Sequence, residues 1–273
     1  MARKREVRLE YMFAAEIARE RKRLPLAFVP IAPLEWHAEH LPYGTDPLDA
    51  LALCITLARN VGGVVHPPLW IGIDEYRKPA QTAAIGFDPR EHRLLGMDFP
   101  ANSVRSLYWN AAAMEAAVRG VVRALKRAGW RIVVLLNGHG APSQQRLLMR
   151  VARTASTRAF RVLYAFDFVD SGKVRIDVGH ADRFETSLLM HNFPDLVKLD
   201  RLPAQGKLRN VDHAIVDSET FLGRPTADFT VRPSRDPRRA VRAIGERLAR
   251  TAELSISRRV REAARELGFF TER

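Results

Sequence analysis

Glu35 and His37 stand two residues apart in "PLEWHAEHLPYGTDPLDA" (33–50), which overlaps the end of the apolar run "LAFVPIAPL" (26–34). In an extended chain, residues i and i+2 project to the same side, so this carboxylate and imidazole can serve one region of space. Asp46 follows at the start of an expected helix, and its two oxygens could bridge two cations. A second cluster, "NGHGAP" (137–142), sets His139 between Gly138 and Gly140, which permit a sharp turn and close ligand approach. A third, "DVGHADRFETS" (177–187), offers His180 as a further base and Glu185 as a further candidate ligand. Mixed nitrogen and oxygen donors suit Zn²⁺, Mn²⁺ or Fe²⁺ better than Ca²⁺ or Mg²⁺. Two such ions, roughly 3.5–4 Å apart, would polarise a carbonyl and deprotonate water at neutral pH.

Each residue also has a plainer use. Thr45 or Asp46 could simply cap a helix whose first turn suits Pro47. Glu35 alone could be a solvated loop acid, and His139 alone a satisfied turn histidine. His40, before "LP", reads as a packing residue or a support for the ligands. His66, beside two prolines, reads as structural, and His92, His191 and His213 as surface or interface residues. The joint pattern is the stronger argument, because three separate strand ends contribute to it.

The elements that must position these clusters alternate in type. Residues 26–34, 63–70, 131–137 and 161–169 read as strands, and the first and third are apolar enough to be buried on both faces. Residues 48–62, 103–130 and 142–157 read as helices, and 237–267 as a basic amphipathic helix broken near "SIS" (255–257). Alternating strands and helices predict right-handed crossovers and a mostly parallel α/β sheet. In such sheets ligands bind beyond the carboxyl ends of the strands, where all three clusters lie. Residues 202–236 read as a long excursion. No repeat and no linker divides the 273 residues, so one domain is expected.

Composition narrows the setting. One cysteine, Cys54, lies in an apolar helical pattern, so no disulfide framework exists and a reducing, cytoplasmic setting is expected. The charged first 23 residues look like neither a signal peptide nor a membrane span, and no apolar run approaches ~18 residues. The net charge of +13 raises nucleic acid as a partner, but the basic residues are scattered without aromatic interleaving and read as solvated surface.

At the three clusters the sequence resembles the creatininase family of metal-dependent amidohydrolases, among them creatinine- and formamidopyrimidine-cleaving members. The leading family motif, approximately E-x-H-G-P-H-L-P-x-x-T-D, stands here as "EWHAEHLPYGTD". The second, N-G-H-G-G-N or close to it, stands as "NGHGAP". The third, like H-A-G-x-x-E-T-S, stands as "HADRFETS". The match spans about 25–200. It implies a three-layer α/β/α sandwich, a dinuclear divalent metal centre, a small-molecule substrate and a homo-oligomer, hexamers being common. Carried over by motif, Glu35 and His139 would hold one ion, His37 the other, and Asp46 would bridge. His180 would be a catalytic or substrate-contacting base. In the family's namesake enzyme a glutamate two positions after the "NGH" histidine binds the second ion; Ala141 stands there in this chain, and Glu185 is the replacement expected.

Other departures concern the substrate. Ala38 and Glu39 replace Gly-Pro, and a G-x-S-x-x-H…P-G-T segment is replaced by "IGIDEYRKPAQTAAIGFDP" (71–89). Arg77 and Lys78 could there meet an anionic substrate, while Asn137, Gly138 and Gly140 would line the site. The expected activity is hydrolysis of a C–N amide bond in a small, cyclic or formylated substrate, with His180 and Glu185 in catalytic positions. Two alternatives stand beside it: a catalytically altered metal-binding partner or binding module, and a hydrolase of a lactone or C–C bond.

Overall fold

Four of the apolar runs form a parallel sheet. The computed structural model describes residues 5–100, 102–168, 179–202, 208–211, 214–217 and 231–269. After helix α1 (Ala14–Arg23) come β1 (Leu26–Ile31), α2 (Thr45–Val61), β2 (Val64–Val65), α3 (Pro79–Ala84), α4 (Ala111–Arg127), β3 (Ile132–Asn137), α5 (Pro142–Ala155), β4 (Arg161–Phe166) and α6 (Arg183–Asn192). The antiparallel pair β5 (Leu208–Val211) and β6 (Ala214–Asp217) precedes α7 (Arg242–Glu266). The large sheet runs β2-β1-β3-β4, all parallel.

Alternation along the central strands assigns the two faces. Leu26 and Phe28 of β1, with Ile132, Val134 and Leu136 of β3, join the core formed with α2 and α7. Ala27, Val29, Val133 and Leu135 join the opposite core with α4 and α5. The helices supply matching stripes: Leu53, Leu57 and Val61 on α2; Met114, Val118 and Val122 on α4; Ala252, Ile256, Val260 and Ala264 on α7. These spacings of four keep one helix face on the sheet. The result is the expected three-layer α/β/α arrangement.

Three local expectations are corrected. The long helix begins at Ala111, not near 103. Asn110 caps it by accepting from the Ala113 N–H, and Leu107 and Trp109 donate their N–H groups to the carbonyls of Leu34 and Gly72. The segment before the cap is therefore extended and laid against the strand ends. The break near "SIS" is absent, because Ile256 and Ser257 are buried in the middle of α7. Finally, neither Thr45 nor Asp46 caps α2: Gly44 precedes it with no side-chain cap, Thr45 Oγ1 donates to the Pro42 carbonyl, and the Asp46 carboxylate is engaged elsewhere. Pro30 lies inside β1, but β2 pairs only with Ala27 and Phe28 and the chain rejoins β1 at the Ile31–Leu69 bridge, so the ladder on that side is interrupted beside the proline's missing N–H. His213 falls outside the described residues.

β1 and β3 are neighbours, with Ile31 opposite Asn137 at their carboxyl ends. The helices that follow them, α2 and α5, lie on opposite faces of the sheet. The chain thus parts between these two strands and opens a crevice at the topological switch point, the usual ligand position in such sheets.

Candidate metal centre

The first ligands stand on the loop between β1 and α2. The Glu35 N–H donates to the Tyr43 carbonyl and closes the loop at 3.0 Å. His37 Nδ1 donates to the Glu35 carbonyl at 2.9 Å, which turns Nε2 towards the crevice. Ala38, at φ 57°, takes the left-handed turn where the family pattern has glycine.

Asp46 enters from the first turn of α2. Its Oδ1 lies 2.8 Å from His37 Nε2, and its Oδ2 lies 3.1 Å from His139 Nδ1. His139 is held by Asn137, whose amide oxygen accepts the His139 N–H at 3.2 Å and whose Nδ2 donates to the His139 carbonyl at 2.6 Å. Gln144 Nε2 fixes that amide from α5 at 2.8 Å. Gly138 is required for a different reason: a Cβ there would lie 2.4 Å from the Asp46 carbonyl oxygen. A Cβ at Gly140 would meet nothing within 4 Å, so the space above the loop is open.

Glu185 comes from α6. Asp182 caps that helix by accepting from the N–H groups of Phe184 and Glu185. Glu185 Oε2 accepts the N–H of Ala181, itself left-handed at φ 51°, and Oε1 lies 3.7 Å from His37 Nε2. His40 accepts or donates at 2.9 Å to Thr186 on the same helix, which ties α6 to the first loop. Its supporting role matches the sequence expectation.

Two groups of three ligand atoms result, each lying within 4.8 Å of one another: Glu35, Asp46 and His139, and His37, Asp46 and Glu185. A third grouping joins Glu35, His37 and His180. Glu35, His37, Asp46, His139 and Glu185 are all buried. Glu35 Oε2 and His139 Nε2 have no hydrogen-bond partner among the described residues. Burial opposes charge on His37, yet Asp46 and Glu185 hold its pKa well above the ordinary histidine range. His139 is raised against the same burial by Glu35 and Asp46. Burial raises Glu35, with His139 opposing. Burial also pushes Glu185 up to about 7, against the pull of His37. Asp46 is lowered despite burial, because both imidazoles face it.

His180 lies beside this set. Its ring centroid is 4.2 Å from that of His37, its Nε2 is 2.6 Å from the Trp36 carbonyl, and its Nδ1 is 3.6 Å from Glu35 Oε2. Burial, then the neighbouring His37, keeps its pKa well below the usual value.

Sequence reasoning missed two supports. Tyr108 donates its O–H to Glu35 Oε1, and Asp74 Oδ2 lies 3.5 Å from His139 Nε2. A methyl at Gly96, where φ is 52°, would lie 2.4 Å from the Tyr108 oxygen and 2.6 Å from Asp74 Oδ2, so glycine there leaves these two side chains their room. Asp74 had a signal, an acid just past an apolar strand-like segment; Tyr108 had none, because its segment reads as helix. Arg77 lies over the Phe99 ring at 4.8 Å, and Lys78 is exposed at the start of α3. His66 Nδ1 meets the Pro67 carbonyl at 2.7 Å and Cys54 is buried. No helix among the described residues is long and apolar enough to cross a membrane.

A family profile described as "Creatininase: Creatinine amidohydrolase" matches residues 10–260. Creatinine amidohydrolase of Pseudomonas putida is 31% identical over 226 residues, 77% of this chain and 75% of that protein. Mycofactocin precursor peptide peptidase of Mycolicibacterium smegmatis is 27% identical over 223 residues, 74% of this chain and 76% of that one. The solved structure "Creatininase Mn" is similar at a TM-score of 0.64 and 25% identity, over 94% of this chain and 98% of that one.

Proposed function

This chain belongs to the creatininase family, and from that premise we propose that it hydrolyses the C–N amide bond of a small cyclic or formylated substrate with two divalent cations. The observation that carries this reading is the pair of three-ligand groups meeting at Asp46. Glu35 and His139 would hold one ion, His37 and Glu185 the other, and Asp46 would bridge. The residues fit such ions. Imidazole nitrogens and carboxylate oxygens are mixed, as manganese, zinc or iron prefer, and Glu35 Oε2 is buried with a lone pair unused. The similarity to "Creatininase Mn" supports manganese. Glu185 also answers the loss of the glutamate that Ala141 replaces, since it reaches His37 from α6. Bound divalent ions supply Lewis acidity at a carbonyl and lower the pKa of water.

The chain's own groups do the proton work. His180 donates Nε2–H to the Trp36 carbonyl, so Nδ1 carries the free lone pair and faces the ligand set. Its low pKa makes it neutral at pH 7. It would accept a proton at Nδ1 from the attacking water and return it to the leaving nitrogen. Asn137 and Gly138 hold the His139 loop, and Gly140 leaves room above it for the substrate.

Elemental analysis of the native protein should find two divalent ions per chain. Chelation should abolish hydrolysis of a panel of lactams, formamides and short peptides, and Mn²⁺ or Zn²⁺ should restore it. No turnover by the metal-loaded protein would overturn the hydrolase reading and favour a binding module. Anionic substrate recognition by Arg77 and Lys78 is lost as an idea if replacing both leaves KM unchanged.

A further inference from the structure

A second acid-lined cavity, of about 210 Å³, lies between α2, α6, α7 and the end of β4. It is far larger than the ~10–15 Å³ that admits a single water. Asp49 and Asp167 line it deep in the protein, at 2% and 3% exposure. Glu246 and Glu253 line it from α7. Arg250 is the one guanidinium among the lining residues, and it is exposed and makes no ion pair among the described residues. In a chain of net charge +13, this lining sets four acidic side chains against one guanidinium.

The acids alone would not define a site. Asp167 adds an independent observation: it lines the cavity, and both of its carboxylate oxygens are buried without a hydrogen-bond partner among the described residues. Among the described residues, Asp49 has only the Asn192 side-chain amide, at 2.8 Å. His191, also lining the cavity, has a buried Nδ1 without a partner. A buried carboxylate with nothing to accept from is costly, and a donor that fills the space removes that cost. None of the crevice ligands lines this cavity: Asp49 lies one turn beyond Asp46 on α2, and Leu188 one turn beyond Glu185 on α6.

The spacing of the donors narrows the ligand. Among the described residues, every set of three metal-type ligand atoms within 4.8 Å lies in the crevice, and none includes Asp49 or Asp167. Direct chelation of a small dication is therefore poorly served. A guanidinium presents five N–H donors in a flat fork and an ammonium three, so either can span carboxylates that do not converge. Leu53, Leu188 and Ala249 supply apolar wall for an alkyl group.

We propose that this cavity binds a small organic cation, an alkylguanidinium or alkylammonium, held by Asp167 and Asp49. Calorimetric titration of the metal-loaded protein with methylguanidinium chloride, at constant ionic strength, should give one saturable site. N-methylurea, the neutral analogue of similar shape, should bind at least tenfold more weakly. Asp167→Asn should weaken methylguanidinium at least tenfold while leaving metal content and amide hydrolysis unchanged. Absence of saturation, equal binding of N-methylurea, or undiminished binding by Asp167→Asn overturns the proposal. A third equivalent of Mn²⁺ that disappears in Asp167→Asn overturns it too, since the site would then be a metal site. If Asp167→Asn does not fold, Asp49→Asn decides: at least tenfold weaker methylguanidinium binding supports the proposal, and unchanged binding ends it.

Discussion

The two ligand groups that meet at Asp46 are built differently. Glu35, Asp46 and His139 rise from the ends of two adjacent strands and the first turn of α2, and neighbouring side chains brace them from outside: Tyr108 on Glu35 and Asp74 beside His139. His37, Asp46 and Glu185 draw their third member from α6, across the crevice, and its brace is one backbone N–H from Ala181. The distances follow: 3.1 and 3.3 Å about His139, but 2.8 and 3.7 Å about His37. A strand end is placed by the sheet itself. Glu185 is placed only as well as α6 docks, through His40 on Thr186 and the close approach of Gly245 to the Ser187 carbonyl, where a Cβ would lie 1.9 Å away. The first group is thus the more pre-organised, and its ion should bind more tightly.

Substitution of the shared residue should erase the contrast. Asp46→Asn keeps the shape but turns one oxygen into a donor facing an imidazole. Metal content should fall towards none, and kcat/KM by ~10³-fold or more, as the several kcal/mol that bound cations contribute are lost. Two ions remaining in this variant would remove Asp46 from both groups. Glu185→Gln should separate the groups: one ion stays, titrating with the affinity of the tighter site, and kcat falls ~10²-fold or more. His139→Ala should lose the other ion instead. If Glu185→Gln still binds two, the second group has been wrongly composed. Tyr108→Phe tests the bracing. Losing a support to a ligating carboxylate typically costs ~10–100-fold in metal affinity, and competition with a fluorescent chelator should find that loss at the tighter ion only.

Much of this contrast was legible in the sequence, and the reasons differ by residue. Glu35, His37, Asp46, His139 and Glu185 are chemically conspicuous types at the ends of apolar runs, and the unbroken apolarity of β1 and β3 gives those runs away as strands buried on both faces. Residues 103–110 misled because Ala-rich periodicity continues beyond them, while Asn110 and two long-range backbone hydrogen bonds decide that the helix starts later. Tyr108 was hidden with them: its partner Glu35 is 73 positions away, and only the folded path of the chain joins the two. Asp167 was hidden differently, since what distinguishes it is a missing partner, which no spacing encodes. The serines at 255 and 257 suggest a break because serine disfavours helix interiors, but burial of Ile256 between them outweighs that preference.

The smallest effect expected is a pH dependence of the metal-free protein. Without ions, protons take their place: Asp46 and Glu185 hold His37 charged, and Glu35 and Asp46 hold His139 charged. Both folded pKa values stand above the unfolded value near 6.5, so this stabilisation is complete below 6.5 and is lost as pH rises through the folded values. His180 is displaced downward, and His40 is lowered by burial to about 3; both cost stability once pH falls below 6.5. Glu185, held up to about 7 by burial, loses stability in the same direction as pH rises to that value. Chelated protein should therefore lose a few degrees of Tm as pH rises from 6.5 to 9, at ~2–4 °C per kcal/mol for a chain of this size. Metal-loaded protein should not lose stability over the same interval, because the ions replace the protons. Glu185→Gln sharpens the comparison. It removes one of the two carboxylates that raise His37 and neither of the two that raise His139, so the alkaline loss should shrink without disappearing. A variant that abolished it entirely would mean that the second group, not the first, carries the electrostatic strain of the crevice.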